Sequence, residues 1–98
     1  MRIRPGPRNP YRIVYSEYFE AAWFRGIQEQ FAFAHEVLDQ LEWSLERSPA
    51  AEGESCAAFP DRDIRLTVTA RTGRYPSLRF LFEIRDREVA IWHVCEAD

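Results

Sequence analysis

The sequence predicts an α+β domain with the element order β-α-α-β-β-β, an antiparallel sheet carrying a helical hairpin on one face. An apolar stripe at helical spacing fills the middle of the chain, and strict apolar–polar alternation begins at residue 64. Between and around these stretches, prolines and glycines mark the breaks. The chain has 98 residues, 46% of them hydrophobic, which suits one folded domain and leaves no room for a two-domain enzyme, a Rossmann fold or a transporter. That domain is expected at 11–98, behind an irregular Pro/Arg-rich arm at 1–10 with three prolines and Gly6.

Tyr11-Arg12-Ile13-Val14-Tyr15 is aromatic and β-branched and predicts a short strand. Ser16 follows as an N-cap, with Glu17 and Glu20 placed where negative charge favours the start of a helix. Ala21, Phe24, Ile27, Phe31, Ala34, Leu38, Leu41 and Leu45 then recur by threes and fours. One unbroken helix over this span would be roughly 45 Å long, too long for a domain of this size. Gly26 is the weakest helix former within it, so the expected break lies near Arg25–Gln28, with helices around 17–25 and 29–47. Pro49 ends the second helix. Residues 48–62 read as a loop of small side chains.

In the last third, Ile64, Leu66, Val68 and Ala70 alternate with Arg65, Thr67, Thr69 and Arg71. After a turn at 72–77, strands are expected at 78–85 and 88–94, joined by Asp86-Arg87. A two-residue link pairs Phe80 with His93, Phe82 with Ile91 and Ile84 with Val89 on the core face. It pairs Arg79 with Val94, Leu81 with Trp92, Glu83 with Ala90 and Arg85 with Glu88 on the other. Phe31, Leu38, Leu41, Phe80, Phe82 and Ile91 are the expected core.

Charge is uneven. All 13 basic residues are Arg, which reflects either genome composition or a use for bidentate anion contacts. Residues 1–16 carry four Arg and no acid, 17–56 carry two Arg and nine acids, and 62–79 carry five Arg against Asp63 alone. The last of these is the expected anion-contacting segment. Cys56 and Cys95 show no metal or redox spacing, and no secretory h-region follows Met1, so a reducing cytoplasm is the expected compartment. No run of apolar residues is long enough for a membrane helix, and no cofactor or metal motif is present.

With this order in hand, the chain resembles the RelE/ParE superfamily of bacterial toxin–antitoxin toxins. The likeness covers about 11–95. It rests on Tyr11-Arg12-Ile13-Val14-Tyr15-Ser16, on Leu45-Glu46-Arg47-Ser48-Pro49 with Gly53-Glu54-Ser55, on Tyr75 through Ile84, and on Val89-Ala90-Ile91. The resemblance implies a small twisted antiparallel sheet with a helical hairpin on one face, and a toxin neutralised by a cognate antitoxin. RelE-like members cut mRNA in the ribosomal A site without metal, using basic and aromatic residues of the open sheet face. ParE-like members act on DNA gyrase and are not nucleases.

Metal-free RNA cleavage needs a base for the ribose 2′-OH, positive charge at the phosphate and an acid for the leaving oxygen. The catalytic candidates are Arg79, Arg65 and Arg71, with Tyr75 in the adjoining turn. Leu81 and Trp92, with Arg79 and Arg74, are the partner-binding candidates, for an antitoxin or a second copy in a homodimer. The register turns His93 toward the core, and His35 reads as a surface residue. Active RelE-like toxins usually carry an Arg and then a Tyr or His after the last strand. Here Val94-Cys95-Glu96-Ala97-Asp98 offers neither, so the sequence favours a binding module over a nuclease.

Overall fold

In the computed structural model, residues 10–97 are described, so nearly all of the arm expected at 1–10 lies outside the described residues, as does Asp98. Strand β1, Arg12–Tyr15, runs parallel to the last strand, β5 (Glu88–Glu96), with Arg12 beside Glu88 and Tyr15 beside Ile91. Ser16 ends β1 and starts the helical arm. Its hydroxyl accepts from the Phe19 amide at 3.0 Å and donates to the Trp92 carbonyl at 2.7 Å. One side chain thus caps a helix and fastens it to the sheet.

Helix α1 (Glu17–Ala22) continues through a π-helical turn, Trp23–Ile27, into α2, Gln28–Gln30. The chain does not break at Gly26, which sits inside the π turn. It reverses later, where Phe31 takes an extended conformation before α3, Ala34–Leu45. A mid-helix glycine costs about 1 kcal/mol. Burying Trp23 and Ile27 recovers about 1.5–3 kcal/mol each, so packing overrides the local weakness. The buried stripe also differs from the expected one. Phe19, Trp23 and Ile27 point inward, while Ala21 and Phe24, both expected to face inward, are exposed.

After α3, a short 3₁₀ turn at Pro49–Ala51 leads to β2, Glu54–Ser55, within the segment expected to be a loop. Gly53 makes this pairing feasible. Its φ is +133°, and a Cβ there would stand 2.5 Å from the Leu66 carbonyl oxygen. Strands β3 (Ile64–Val68), β4 (Leu78–Arg85) and β5 complete a five-stranded sheet in the order β1-β5-β4-β3-β2. Four strands are antiparallel neighbours, and β1 joins at one edge in parallel, so the sheet is mixed.

The β4–β5 register follows expectation from the turn outward and then departs from it. Arg85 faces Glu88, Ile84 faces Val89, Glu83 faces Ala90 and Phe82 faces Ile91. A β-bulge then intervenes, and Leu81 faces His93, Phe80 faces Val94, Arg79 faces Cys95 and Leu78 faces Glu96. The expected pairs Phe80–His93, Leu81–Trp92 and Arg79–Val94 are replaced because β5 inserts one extra residue, which no turn rule foretells.

The core lies between the sheet and the helices. Leu78, Phe80, Phe82, Val89, Ile91 and Val94 meet Phe19, Trp23, Ile27, Ala34, Val37, Leu38, Leu41 and Leu45. Five of the six expected core residues are buried, and Phe31 is half-buried against the cluster.

Candidate partner-binding site on the open sheet face

The bulge builds this site. Before the bulge, Glu88 and Ala90 of β5 face away from the helices, and Trp92 continues that alternation as the inserted, unpaired residue. Beyond it, the residues paired with Leu81 and Arg79 do so, and these are His93 and Cys95. Trp92 and His93 therefore project consecutively from the same face, which a regular strand forbids. This turns His93 outward into solvent, contrary to the expected register.

Tyr18, Phe59, Arg62, Ile64, Leu81, Trp92 and His93 surround a cavity of about 310 Å³ on this face. Ile64 is 4% exposed despite facing away from the helices. Tyr18 (70% exposed) and Phe59 (41% exposed) stand open at the rim. One wall is held by charge. The Arg62 guanidinium donates to both Glu83 carboxylate oxygens, Nε to Oε2 at 2.9 Å and Nη2 to Oε1 at 2.7 Å. The Trp92 indole N–H donates to the same Oε1 at 3.1 Å, and the Arg62 guanidinium lies 5.7 Å from the Trp92 ring centre. Glu83 is buried, and the Arg62 hydrogen bonds hold its carboxyl below the usual range, with help from the Trp92 N–H and against the opposing effect of burial. The Glu83 hydrogen bond in turn raises Arg62 above its ordinary value. A bidentate charged pair plus an indole donor fastens Arg62, just before β3, to the inner strands β4 and β5.

The residues chosen from sequence divide between two sides of the molecule. Leu81 and Trp92 share the cavity, and Arg79 lies one step along the same face from Leu81. Arg79 is exposed and has no ion pair or side-chain hydrogen bond among the described residues. Arg65 faces the other way, because its cross-strand partner is the buried Phe82. Its guanidinium bonds to Asp63 at 2.9 Å and to the carbonyls of Ala50 at 3.1 Å and Gly53 at 3.4 Å. Arg65 is thus a clamp on the 49–53 turn, and the apolar residues of β3, Leu66 and Val68, occupy the open face instead.

Arg74 and Tyr75 pack on Phe33, at the reversal between the helices, with the guanidinium 5.4 Å from that ring and the Tyr75 ring edge-on at 5.9 Å. Arg71 approaches Glu96 at 4.0 Å, and Glu96 also accepts from Gln30 on α2. Arg65, Arg71, Arg74 and Tyr75 therefore do not assemble with Arg79. Sequence reading missed Tyr18, Phe59, Arg62 and Glu83 in the site. Arg62 and Glu83 carried a faint signal, opposite charges flanking an apolar alternation, with nothing to show that they meet.

His93 takes a new role in the geometry. It is a diagonal neighbour of Arg79 across β4–β5, a relation that spans about 7–8 Å. His35 is exposed on α3 with its ring 6.5 Å from Trp23, and Cys56 and Cys95 are half-buried free thiols. Among the described residues no helix is long and apolar enough to cross a membrane. No family model matches this chain, and no curated protein or solved structure shows significant similarity to it.

Proposed function

We propose that this chain is a toxin-like protein of the RelE/ParE kind, neutralised by a cognate antitoxin and acting by binding a protein rather than by cutting RNA. The observation that carries the binding reading is the preformed apolar cavity on the sheet face that the helices leave open. Such a concave, aromatic-walled patch on the same face as Arg79, a cation with no ion pair among the described residues, suits the anchor residues of a protein interface. Dispersal of Arg65, Arg71 and Tyr75 away from Arg79 removes the phosphate-gripping cluster that a nuclease of this kind needs. The toxin reading itself rests on the element order, with the helical hairpin on one face of a small sheet. An antitoxin is the first partner, and DNA gyrase, the ribosome or a second copy are candidate targets.

A metal-independent, ribosome-dependent endoribonuclease is the second reading, favoured by one observation. The bulge places His93, an acid–base group, on the same face as Arg79. The experiment is expression in a bacterial host, alone and with the small open reading frame beside the gene, followed by mapping of mRNA ends. Slowed growth, rescue by the neighbour and no codon-periodic cuts are expected. Normal growth at verified soluble expression overturns the toxin reading. Codon-periodic cuts that vanish in Arg79→Ala and His93→Ala replace the binder with the endoribonuclease.

A further inference from the structure

We infer that the open-face cavity receives one aromatic side chain carried on an acidic segment of the partner, an inference that rests on the partner-binding reading and names the chemistry it selects. Size is the first argument. About 310 Å³ stands at the bottom of the range for whole-ligand pockets and accommodates one large side chain. Two of its lining rings, Tyr18 and Phe59, are exposed, so the cavity is reachable by a chain lying across that face.

The lining is the second argument. Ile64 and Leu81 give apolar contact, while Tyr18, Phe59 and Trp92 offer ring faces and edges of the kind aromatic pairs use. Trp92 cannot swing to close the cavity without losing its bond to Glu83 and its stacking with Arg62. The site is therefore organised before the partner arrives, which lowers the ordering cost of binding.

Charge decides what flanks the anchor. Glu83, the carboxylate beside the cavity, is already engaged by Arg62 and Trp92. Arg79 does not line the cavity but follows Leu81 on the same face, diagonal to the lining residue His93, and forms no ion pair among the described residues. A segment bearing Asp or Glu next to its aromatic residue meets a cation there, and a basic segment meets repulsion.

The test uses the full chain with nitrogen-15 labelling. Its probes are short synthetic peptides with one central Phe between glutamates, the same peptide with Ala at the centre, and a lysine-flanked version. The Trp92 indole N–H signal, assigned with Trp92→Phe, should shift saturably with the first peptide. Binding should weaken about tenfold or more when the centre becomes Ala, an anchor-sized loss. Arg79→Glu should invert the preference between glutamate and lysine flanks. Leu81→Glu should abolish the shift, and Phe59→Ala, an exposed change, repeats the test if Leu81→Glu fails to fold. An unmoved indole at peptide concentrations near a millimolar, or equal binding of the Ala-centred peptide, overturns the inference. The cognate antitoxin binding with the Trp92 indole unmoved also overturns it, yet leaves the partner-binding reading intact. Aromatic-selective peptide binding by a chain that is neither toxic nor neutralised sinks the toxin reading and leaves the cavity assignment standing.

Discussion

The two faces of the sheet obey different logic. On the helical face, Phe80, Phe82, Val89, Ile91 and Val94 are all 0–1% exposed and pack against α1, the π turn and α3. On the open face, Ile64, Glu83 and Ala90 are buried while Leu66, Val68, Arg79 and His93 remain in contact with solvent. At the middle of that face the Glu83 carboxylate is bound by Arg62 and Trp92. The difference shows that a small domain can bury one face of its sheet and leave a concave, largely apolar surface on the other, with a single inserted residue placing Trp92 and His93 side by side there.

The largest effect should come from the helical face. Phe82→Ala removes a fully buried ring and should cost about 3–5 kcal/mol, and Leu41→Ala from the facing helix about 2–5 kcal/mol. Chemical denaturation of both variants measures this. A shift no larger than that of a surface substitution would mean that the helices do not pack on the sheet as described.

The open face should reveal itself in acid. Glu83 is held below its ordinary pKa chiefly by the Arg62 hydrogen bonds. Its contribution to stability is therefore complete above the unfolded carboxylate value of about 4.3 and is lost as pH falls through the lower, folded value. Glu83→Gln should lower stability at neutral pH by less than Phe82→Ala does, and should flatten the acid limb of the stability profile. An unchanged acid limb would place the acid sensitivity elsewhere.

Legibility from sequence follows the same division. β4, β5 and their link were readable because alternation fixes the period and a two-residue turn fixes the register from Arg85–Glu88 as far as Phe82–Ile91, where the bulge ends it. The hairpin was readable in outline, but its first arm contains overlapping stripes, 19-23-27 and 21-24-27, and the one spaced by fours, which drifts less around a helix of 3.6 residues per turn, is the buried one. Alternation in β3 gave the period but not the side. With Leu66 and Val68 outward, the assumption that apolar residues face the helices inverted Arg65. The site depended on two things sequence does not encode locally, the bulge at Trp92 and the long-range meeting of Arg62 with Glu83.

Arg65 and Arg79 sharpen the comparison, since sequence treats them alike. Arg65→Ala should cost about 1–2 kcal/mol, because it strips charged hydrogen bonds from the carbonyls of the 49–53 turn. Arg79→Ala should change stability by less than about 0.5 kcal/mol while weakening partner binding, as a solvent-facing residue engaged only in a complex would. Equal stability losses for the two would indicate that Arg79 has a structural bond in solution.

The smallest expected effect is the most diagnostic of the bulge. Under an unbroken register His93 would stand opposite Phe80 in the core, and a lysine there would place a charge among apolar side chains at a cost of several kcal/mol. In the bulged strand His93 faces Leu81 on the open side and is exposed, whereas the next residue, Val94, is 1% exposed opposite Phe80. His93→Lys should therefore leave the unfolding free energy within about 0.5 kcal/mol of wild type. Val94→Lys should unfold the domain or come close to it. The two neighbouring substitutions, measured by the same denaturant titration, assign the inward side of β5 directly. If His93→Lys proves the more damaging, β5 runs without the extra residue, Trp92 and His93 part to opposite faces, and the cavity between Trp92 and Leu81 loses the wall that defines it.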